Sequence, residues 1–148
     1  MFETPLTVVG RIITDLRRRQ VGDQEVISFR MASNSRRRGD DGTWEPGNTL
    51  YITVNCWGKL VTGVGASLRK GRAVIAVGQV YTSEYDDREG VRRSSLEMRA
   101  TSVGPDLAHA LVSITDTVPP SARTAAEAED DSAAEESAEG GEALPLSA

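Results

Sequence analysis

The sequence predicts an all-β fold: a five-stranded barrel with one short helix between strands 3 and 4, followed by a disordered acidic C-terminal tail. Three observations predict it. Leu50, Ile52, Val54 and Cys56 alternate with Tyr51, Thr53, Asn55 and Trp57, the period of a half-buried strand. Directly after Trp57-Gly58, Leu60, Val61, Val64 and Leu68 recur at helical spacing until Lys70-Gly71 ends the segment. Beyond Pro119-Pro120 the chain is dominated by Ala, Glu, Asp, Ser and Gly and contains no aromatic residue, too little apolar surface to fold.

The other elements follow in chain order. Leu6 to Leu16 is a β-branched run broken by Gly10, and a glycine inside a strand commonly marks the bend that a small barrel needs. Arg17-Arg18-Arg19 follows it, and Gln20 to Gln24, with Gly22-Asp23, has the composition of a hairpin turn. From Val26 to Ala32, Ile27, Phe29 and Met31 form an apolar face against a mixed face of Val26, Ser28 and Arg30. Asn34 to Asn48 is polar and turn-rich, which predicts a long mobile hairpin loop. In Lys59 to Leu68, Gly63 and Gly65 each cost about 1 kcal/mol against Ala, so this helix depends on the sheet beneath it. Ala73 to Tyr85 is β again, with Gly78 as a second corner, and Asp86 to Gly90 turns it back. In Arg92 to Val103, Leu96, Met98 and Ala100 share one face, before Gly104-Pro105 breaks the sheet. Leu107 to Thr117 fits a short helix or an extra strand, and its β-favouring residues argue for the strand. The expected organisation is one folded domain over 1–117 and the acidic tail over 118–148. A single helix inserted between the third and fourth of five strands is the order of the oligonucleotide-binding (OB) barrel.

Charge separates along the same boundary. Residues 1–110 hold 16 Lys and Arg against 13 Asp and Glu, a net of +3, while residues 111–148 hold 1 against 9, a net of −8. A mildly basic body is therefore hidden behind a whole-chain charge of −5. Fifteen of the 17 basic residues are Arg, whose planar guanidinium suits phosphates and base faces, although a GC-rich genome produces the same bias.

These features converge on a binding face. Tyr51 and Trp57 lie on the same side of one strand, about 20 Å apart at the usual rise, far enough to stack different bases. Tyr81 and Tyr85 sit on the next long hairpin, again an even number of residues apart. Arg11, Arg36, Arg37, Arg38, Lys59, Arg69, Lys70, Arg72, Arg88, Arg92 and Arg93 are the candidate phosphate contacts, mostly in loops. The competing explanation makes the four aromatics ordinary sheet residues packed on a neighbouring subunit.

Catalysis is not expected. Asp40-Asp41 and Asp86-Asp87 are carboxylate pairs, but each adjoins a glycine-containing turn that explains them. One cysteine, Cys56, on a core face, and one histidine, His109, leave no disulfide, zinc site or catalytic triad to build. There is no phosphate-cradling glycine loop, so no metal or cofactor is expected. No apolar run is long enough to span a membrane and no signal-peptide pattern opens the chain, so a cytoplasmic, nucleoid-associated location is expected.

Over residues 5–104 the chain resembles the bacterial single-stranded DNA-binding proteins. The resemblance is carried by Val8-Val9-Gly10-Arg11-Ile12, Phe29-Arg30-Met31-Ala32-Ser33, Val54-Asn55-Cys56-Trp57-Gly58-Lys59-Leu60, Leu68-Arg69-Lys70-Gly71, Val77-Gly78-Gln79-Val80, and the Asp87 to Gly90 hairpin before Glu97. It implies an OB fold, a homotetramer built as a dimer of dimers, and wrapping of single-stranded DNA without regard to sequence. It also implies base stacking at Tyr51, Trp57 and Tyr85. Gly104-Pro105-Asp106-Leu107 is similar to the high-GC Gram-positive branch, in which an added strand clamps subunits, a role expected here of 107–117.

The chain also departs from that family. An aromatic usual after the second strand falls at Arg37, and basic positions of the fourth-strand hairpin fall at Tyr81, Ser83 and Glu84. A usual His is Ile52, and a usual Asp-Pro is Asp15-Leu16. The family's terminal acidic run ending in Pro-Phe, which DNA-metabolism partners grip, is here Leu144-Pro145-Leu146-Ser147-Ala148. These departures imply a second, specialised paralogue. The expected function is sequence-independent binding of single-stranded DNA in replication, recombination, repair or stress response. The alternative is an OB-fold assembly adaptor whose nucleic-acid binding is incidental.

Overall fold

The computed structural model describes residues 2–114; the expected acidic tail, 118–148, lies outside the described residues. Its elements are β1 (Thr4–Ile12), β2 (Arg17–Val21), β3 (Gln24–Arg38), β4 (Trp44–Trp57), α1 (Lys59–Ser67), β5 (Ala73–Asp86) and β6 (Arg92–Pro105). The hydrogen-bonded order is β1-β5-β6-β4-β3-β2, and β1 also pairs with β3, which closes the sheet into a ring. All neighbours are antiparallel except β4 and β6, which run parallel over Thr53 to Asn55.

Six strands appear where five are expected because Arg17–Val21, beyond the expected first run, pairs with β3 as a strand of its own and shortens the expected Gln20 to Gln24 turn to Gly22-Asp23. β1 pairs with β5 up to Arg11 and with β3 at Arg11 and Ile12, so the chain changes neighbours at this corner. Gly10 stands at the change, where a methyl group would collide with the Ala32 carbonyl. The break at residues 13–16 is spanned by Ile13 N–H to the Arg30 carbonyl (2.9 Å) and Arg30 N–H to Thr14 Oγ1 (2.9 Å). Gly78 marks the second expected corner, where the β5–β6 register shifts and the Arg99 carbonyl leaves no room for a side chain.

The segment expected as a mobile loop, Asn34 to Asn48, is instead the end of a β3–β4 ribbon whose turn occupies only 39–43. Its outer part pairs with no other strand, so neither face meets a core and no apolar alternation develops. Backbone pairing holds it together with polar contacts: Ser35 Oγ to the Asn48 carbonyl (2.9 Å), Thr49 Oγ1 to Asn34 Oδ1 (2.8 Å), and Arg37 to Glu45 (3.6 Å).

The core is the alternation made solid. Ile12, Ile27, Phe29, Met31, Ile52, Val54, Cys56, Val74 and Met98 are fully buried inside the ring. Leu50, expected on this face, is 39% exposed because it lies outside the stretch of β4 paired on both sides. Val26, assigned to the mixed face, is fully buried directly opposite Trp57. β6 continues through Gly104-Pro105, where a break is expected, and pairs these residues with Ile75 and Val74. Leu107 to Ile114 contains a turn and no strand pairing in the single chain, and 115–117, the rest of the segment expected as a clamp strand, lies outside the described residues.

Helix α1 buries Val61 and Val64, with Leu68 just beyond, against β3, β4 and β6. Gly58 opens it at φ 60°, ψ −124°, a conformation that glycine adopts without strain. The two helical glycines differ in surroundings. A Cβ on Gly63 meets nothing within 4 Å, whereas one on Gly65 would sit 3.0 Å from Ile27 Cδ1 and 2.5 Å from an Arg18 guanidinium nitrogen. Gly63→Ala is therefore expected to raise unfolding free energy by about 0.5–1 kcal/mol. Gly65→Ala should gain less or lose, and chemical denaturation of both variants at one protein concentration checks the contrast.

Candidate nucleic-acid interface

Strand register decides which side chains share the ring's outer face. Opposite residues in β3 and β4 are Ala32 and Tyr51, Arg30 and Thr53, Ser28 and Asn55, and Val26 and Trp57. β6 continues these rows with Glu97 beside Thr53 and Arg99 beside Asn55. β5 then adds Tyr81 beside Glu97, and further along the hairpin Tyr85 beside Arg93. Tyr51, Trp57, Tyr81 and Tyr85 thus stand on one continuous outward surface across β4, β6 and β5. Tyr51, Tyr81 and Tyr85 are each close to half exposed, and Trp57 is half-buried.

A polar network ties this surface together beneath the aromatics. Ser28 Oγ donates to Asn55 Oδ1 (2.7 Å), and Asn55 Nδ2 donates to Glu97 Oε1 (3.0 Å) and Tyr81 Oη (3.3 Å). Asn55 is buried, so these bonds answer the cost of taking its amide out of water. They also link β3, β4, β6 and β5, and they hold Tyr81 by its hydroxyl.

The expected cations fall into four groups. Arg11 extends the Ala32–Tyr51 row onto β1, and its guanidinium donates to the Gly71 carbonyl (3.0 Å), which brings the Arg69-Lys70-Gly71-Arg72 loop to the Tyr51 end of the face. Lys59 is exposed at the start of α1, two residues beyond Trp57. Arg36, Arg37 and Arg38 lie away from the rows, on the outer ribbon. Arg88 occupies the β5–β6 turn, and the neighbouring cations are occupied: Arg92 bridges Glu84 (3.1 Å) and Asp86 (3.5 Å), and Arg93 meets Asp87 (2.9 Å).

The register also adds residues beyond the expected set. Arg30 lies diagonally across from Tyr51 with its guanidinium 5.5 Å from the ring centroid, within cation–π range. Arg99 is exposed and shares a cleft with Trp57, Gly58 and Val61. Trp44, 66% exposed, stands opposite Arg38 at the far end of the ribbon. Arg30 was legible as a mixed-face residue, but the Trp44 and Arg99 placements depend on pairings that no local pattern specifies.

The carboxylate pairs serve turns. Asp41 Oδ1 accepts from Thr43 Oγ1 (2.6 Å) and Thr43 N–H (3.1 Å), which holds its carboxyl below the ordinary value. Asp87 is held low first by Arg93, then by the N–H groups of Val91 and Glu89. Burial pushes the Cys56 thiol up to about 12, so it is a core residue and not a nucleophile. Among the described residues, no group of three or more His, Cys, Asp or Glu could hold a metal ion, and no helix is long and apolar enough to cross a membrane.

Comparison with known proteins places this geometry. The family model described as the single-strand binding protein family matches residues 4–106. A single-stranded DNA-binding protein of Corynebacterium glutamicum is 39% identical over 110 residues, covering 73% of this chain and 49% of the relative. Single-stranded DNA-binding protein 2 of Streptomyces coelicolor is 34% identical, covering 78% and 59%. The chain thus spans about half the length of these curated relatives. Among solved structures, the second single-stranded DNA-binding protein of Mycobacterium smegmatis is 52% identical with a TM-score of 0.63, covering 78% of this chain and 100% of the other. The small single-stranded DNA-binding protein of Streptomyces coelicolor is 30% identical with a TM-score of 0.68, covering 74% and 100%.

The ion pairs at the hairpin give a direct check. Carboxyl NMR should place the Asp87 midpoint below 3.8, the ordinary aspartate value, and Arg93→Ala should move it upward. Because the folded value is the depressed one, any stability this group adds is present above the unfolded value and disappears as pH falls through the folded one.

Proposed function

The chain belongs to the single-strand binding protein family, and from that premise we propose that its outer β3–β4–β6–β5 face binds single-stranded DNA without reading sequence. The observation that carries this reading is the placement of Tyr51, Trp57, Tyr81 and Tyr85 on one outward surface. Bases stack on exposed aromatic rings whatever their identity, at about 1–3 kcal/mol per base. Tyr51 and Trp57 anchor the row on β4, and Tyr81 and Tyr85 continue it along the β5–β6 hairpin. A base that stacks on the covered side of Tyr51 takes the place of Arg30 and frees that guanidinium for a phosphate.

Phosphate contact is assigned to Arg11 and to Arg69, Lys70 and Arg72 beside it, to Lys59 near Trp57, and to Arg36, Arg37 and Arg38 on the ribbon. Arg88, Arg92 and Arg93 serve the hairpin, with Arg92 and Arg93 exchanging an exposed carboxylate partner for a phosphate. Such exposed pairs are worth about 0–1 kcal/mol, so the exchange is inexpensive. The family is defined by binding and not by a reaction, and no enzymatic step is assigned.

A homotetramer, arranged as a dimer of dimers, is part of the same reading, with 107–117 pairing as a clamp strand only when a second subunit is present. The cellular setting proposed is nucleoid-associated DNA replication, recombination and repair.

Titration of intrinsic Trp fluorescence with oligo-dT at two salt concentrations tests the reading. Binding should quench Trp57 and weaken with salt; Trp44→Phe should keep the quench and Trp57→Phe should lose most of it. Tyr51→Ala and Tyr85→Ala should each weaken binding by about 1–3 kcal/mol with unchanged circular dichroism. Absence of both quenching and a gel shift would transfer the assignment to the assembly-adaptor role.

A further inference from the structure

Arg17, Arg18 and Arg19 form most of edge strand β2, whose five residues are all exposed. The register of β2 against β3 pairs Arg17 with Ser28, Arg18 with Ile27 and Arg19 with Val26. Ser28 and Val26 are the residues opposite Asn55 and Trp57. Two rows of the aromatic face therefore continue outward, Trp57–Val26–Arg19 and Asn55–Ser28–Arg17. At about 4.8 Å per strand the arginine backbones stand about 10 Å from those of Trp57 and Asn55. That is within reach of an extended Arg side chain and a nucleotide stacked on Trp57.

The middle arginine has the opposite orientation and a different occupation. Arg18 shares its side of β2 with the core residue Ile27, meets Glu25 at 3.0 Å and lies against Gly65 of α1. Among the described residues Arg17 and Arg19 make no ion pair or side-chain hydrogen bond, so their full charge is available on the outer face.

We propose that Arg17 and Arg19 are phosphate-binding residues that extend the single-stranded DNA track from Trp57 across β3 onto the β2 edge. The Arg11 row performs the same service at the Tyr51 end, so the β4 aromatics lie between two cationic borders, one supplied by β1 and one by β2. This inference rests on the proposed function and adds a boundary to its site. An edge strand also carries charge to prevent pairing with other chains, and the test separates the two roles.

The experiment is the salt dependence of oligo-dT binding by the full chain, read from Trp fluorescence. Arg17→Gln/Arg19→Gln removes both charges while keeping polar ends and most of the stems. Each neutralised phosphate contributes about −0.7 to the log–log slope, so the double variant should have a slope shallower by about 1.4. Its loss of affinity between about 50 and 200 mM salt should then be about sevenfold smaller than that of the unmodified chain. Arg17→Lys/Arg19→Lys should keep the original slope, as should Arg18→Gln. An unchanged slope in the Gln double variant would overturn the inference, and self-association of that variant at unchanged slope would assign the pair to edge protection instead. A Gln double variant that does not fold hands the decision to the single variants Arg17→Gln and Arg19→Gln, each expected to lower the slope by about 0.7. An unmodified chain that fails to bind oligo-dT would overturn the proposed function itself, a result distinct from any difference between variants.

Discussion

Closure of the sheet at the β1–β3 junction is the constraint on which everything else depends. Once Arg11 and Ile12 pair with Ala32 and Met31, each strand has one side facing the ring's interior and one facing outward. Because side chains alternate with a period of two, closure sorts the whole sequence at a stroke. Phe29, Met31, Ile52, Val54 and Met98 go in; Arg30, Tyr51, Thr53 and Tyr81 go out. A one-residue slip would bury the aromatic row and expose the core, so the hydrophobic effect that fixes the interior also fixes the proposed binding face. The tight backbone approach at Gly10 is part of that register, since a side chain there would push β1 off β3.

What the sequence made legible was whatever a core leaves as a local pattern. The alternation of 52–57, the stripe of α1 and the corners at Gly10 and Gly78 all reflect the packing around one interior, and each appears where expected, whereas Leu50, read on the same face, lies beyond the core. The β3–β4 ribbon was illegible for the complementary reason. Its outer residues face water on both sides, so Ser35, Thr49 and Asn34 spend their side chains on hydrogen bonds, and their composition is that of a loop. Val26 shows a subtler limit: on its own strand it belongs to the mixed face, and it is buried where the sheet sets it between Trp57 and Arg19. Tyr51, Trp57, Tyr81 and Tyr85 could be matched in pairs within one strand or hairpin. Their union into a single surface required the parallel β4–β6 pairing, a contact between segments about 40 residues apart.

Charge is distributed along that surface in two manners. At the Tyr51 end the cations lie near backbone carbonyls and an aromatic ring, as with Arg11 at Gly71 and Arg30 at Tyr51. On the β5–β6 hairpin, Glu84, Asp86 and Asp87 neutralise Arg92 and Arg93. Backbone pairing keeps the two strands in register, and Tyr85 stands among these ion pairs. Net positive charge is therefore lower at the hairpin than at the Tyr51 end, and under the proposed function a polyanion is drawn more strongly to the Arg11 side.

The Ser28–Asn55–Glu97–Tyr81 network bears on the kind of recognition this surface can support. Reading a base requires hydrogen-bonding groups left free to meet its edge. Asn55, at the centre of the rows, has committed both amide hydrogens and its carbonyl oxygen to neighbouring strands, and Tyr81 receives one of those hydrogens at its hydroxyl. The Asn55 amide is thus spent on holding the platform, around which Tyr51, Tyr81, Tyr85, Arg30 and Arg99 stay exposed and Trp57 is half-buried. Ring faces accept any base, and guanidinium groups accept any phosphate. Under the proposed function, an Asn55 amide committed to neighbouring strands leaves stacking and phosphate contact, neither of which reads sequence, as what this part of the face offers a nucleic-acid strand.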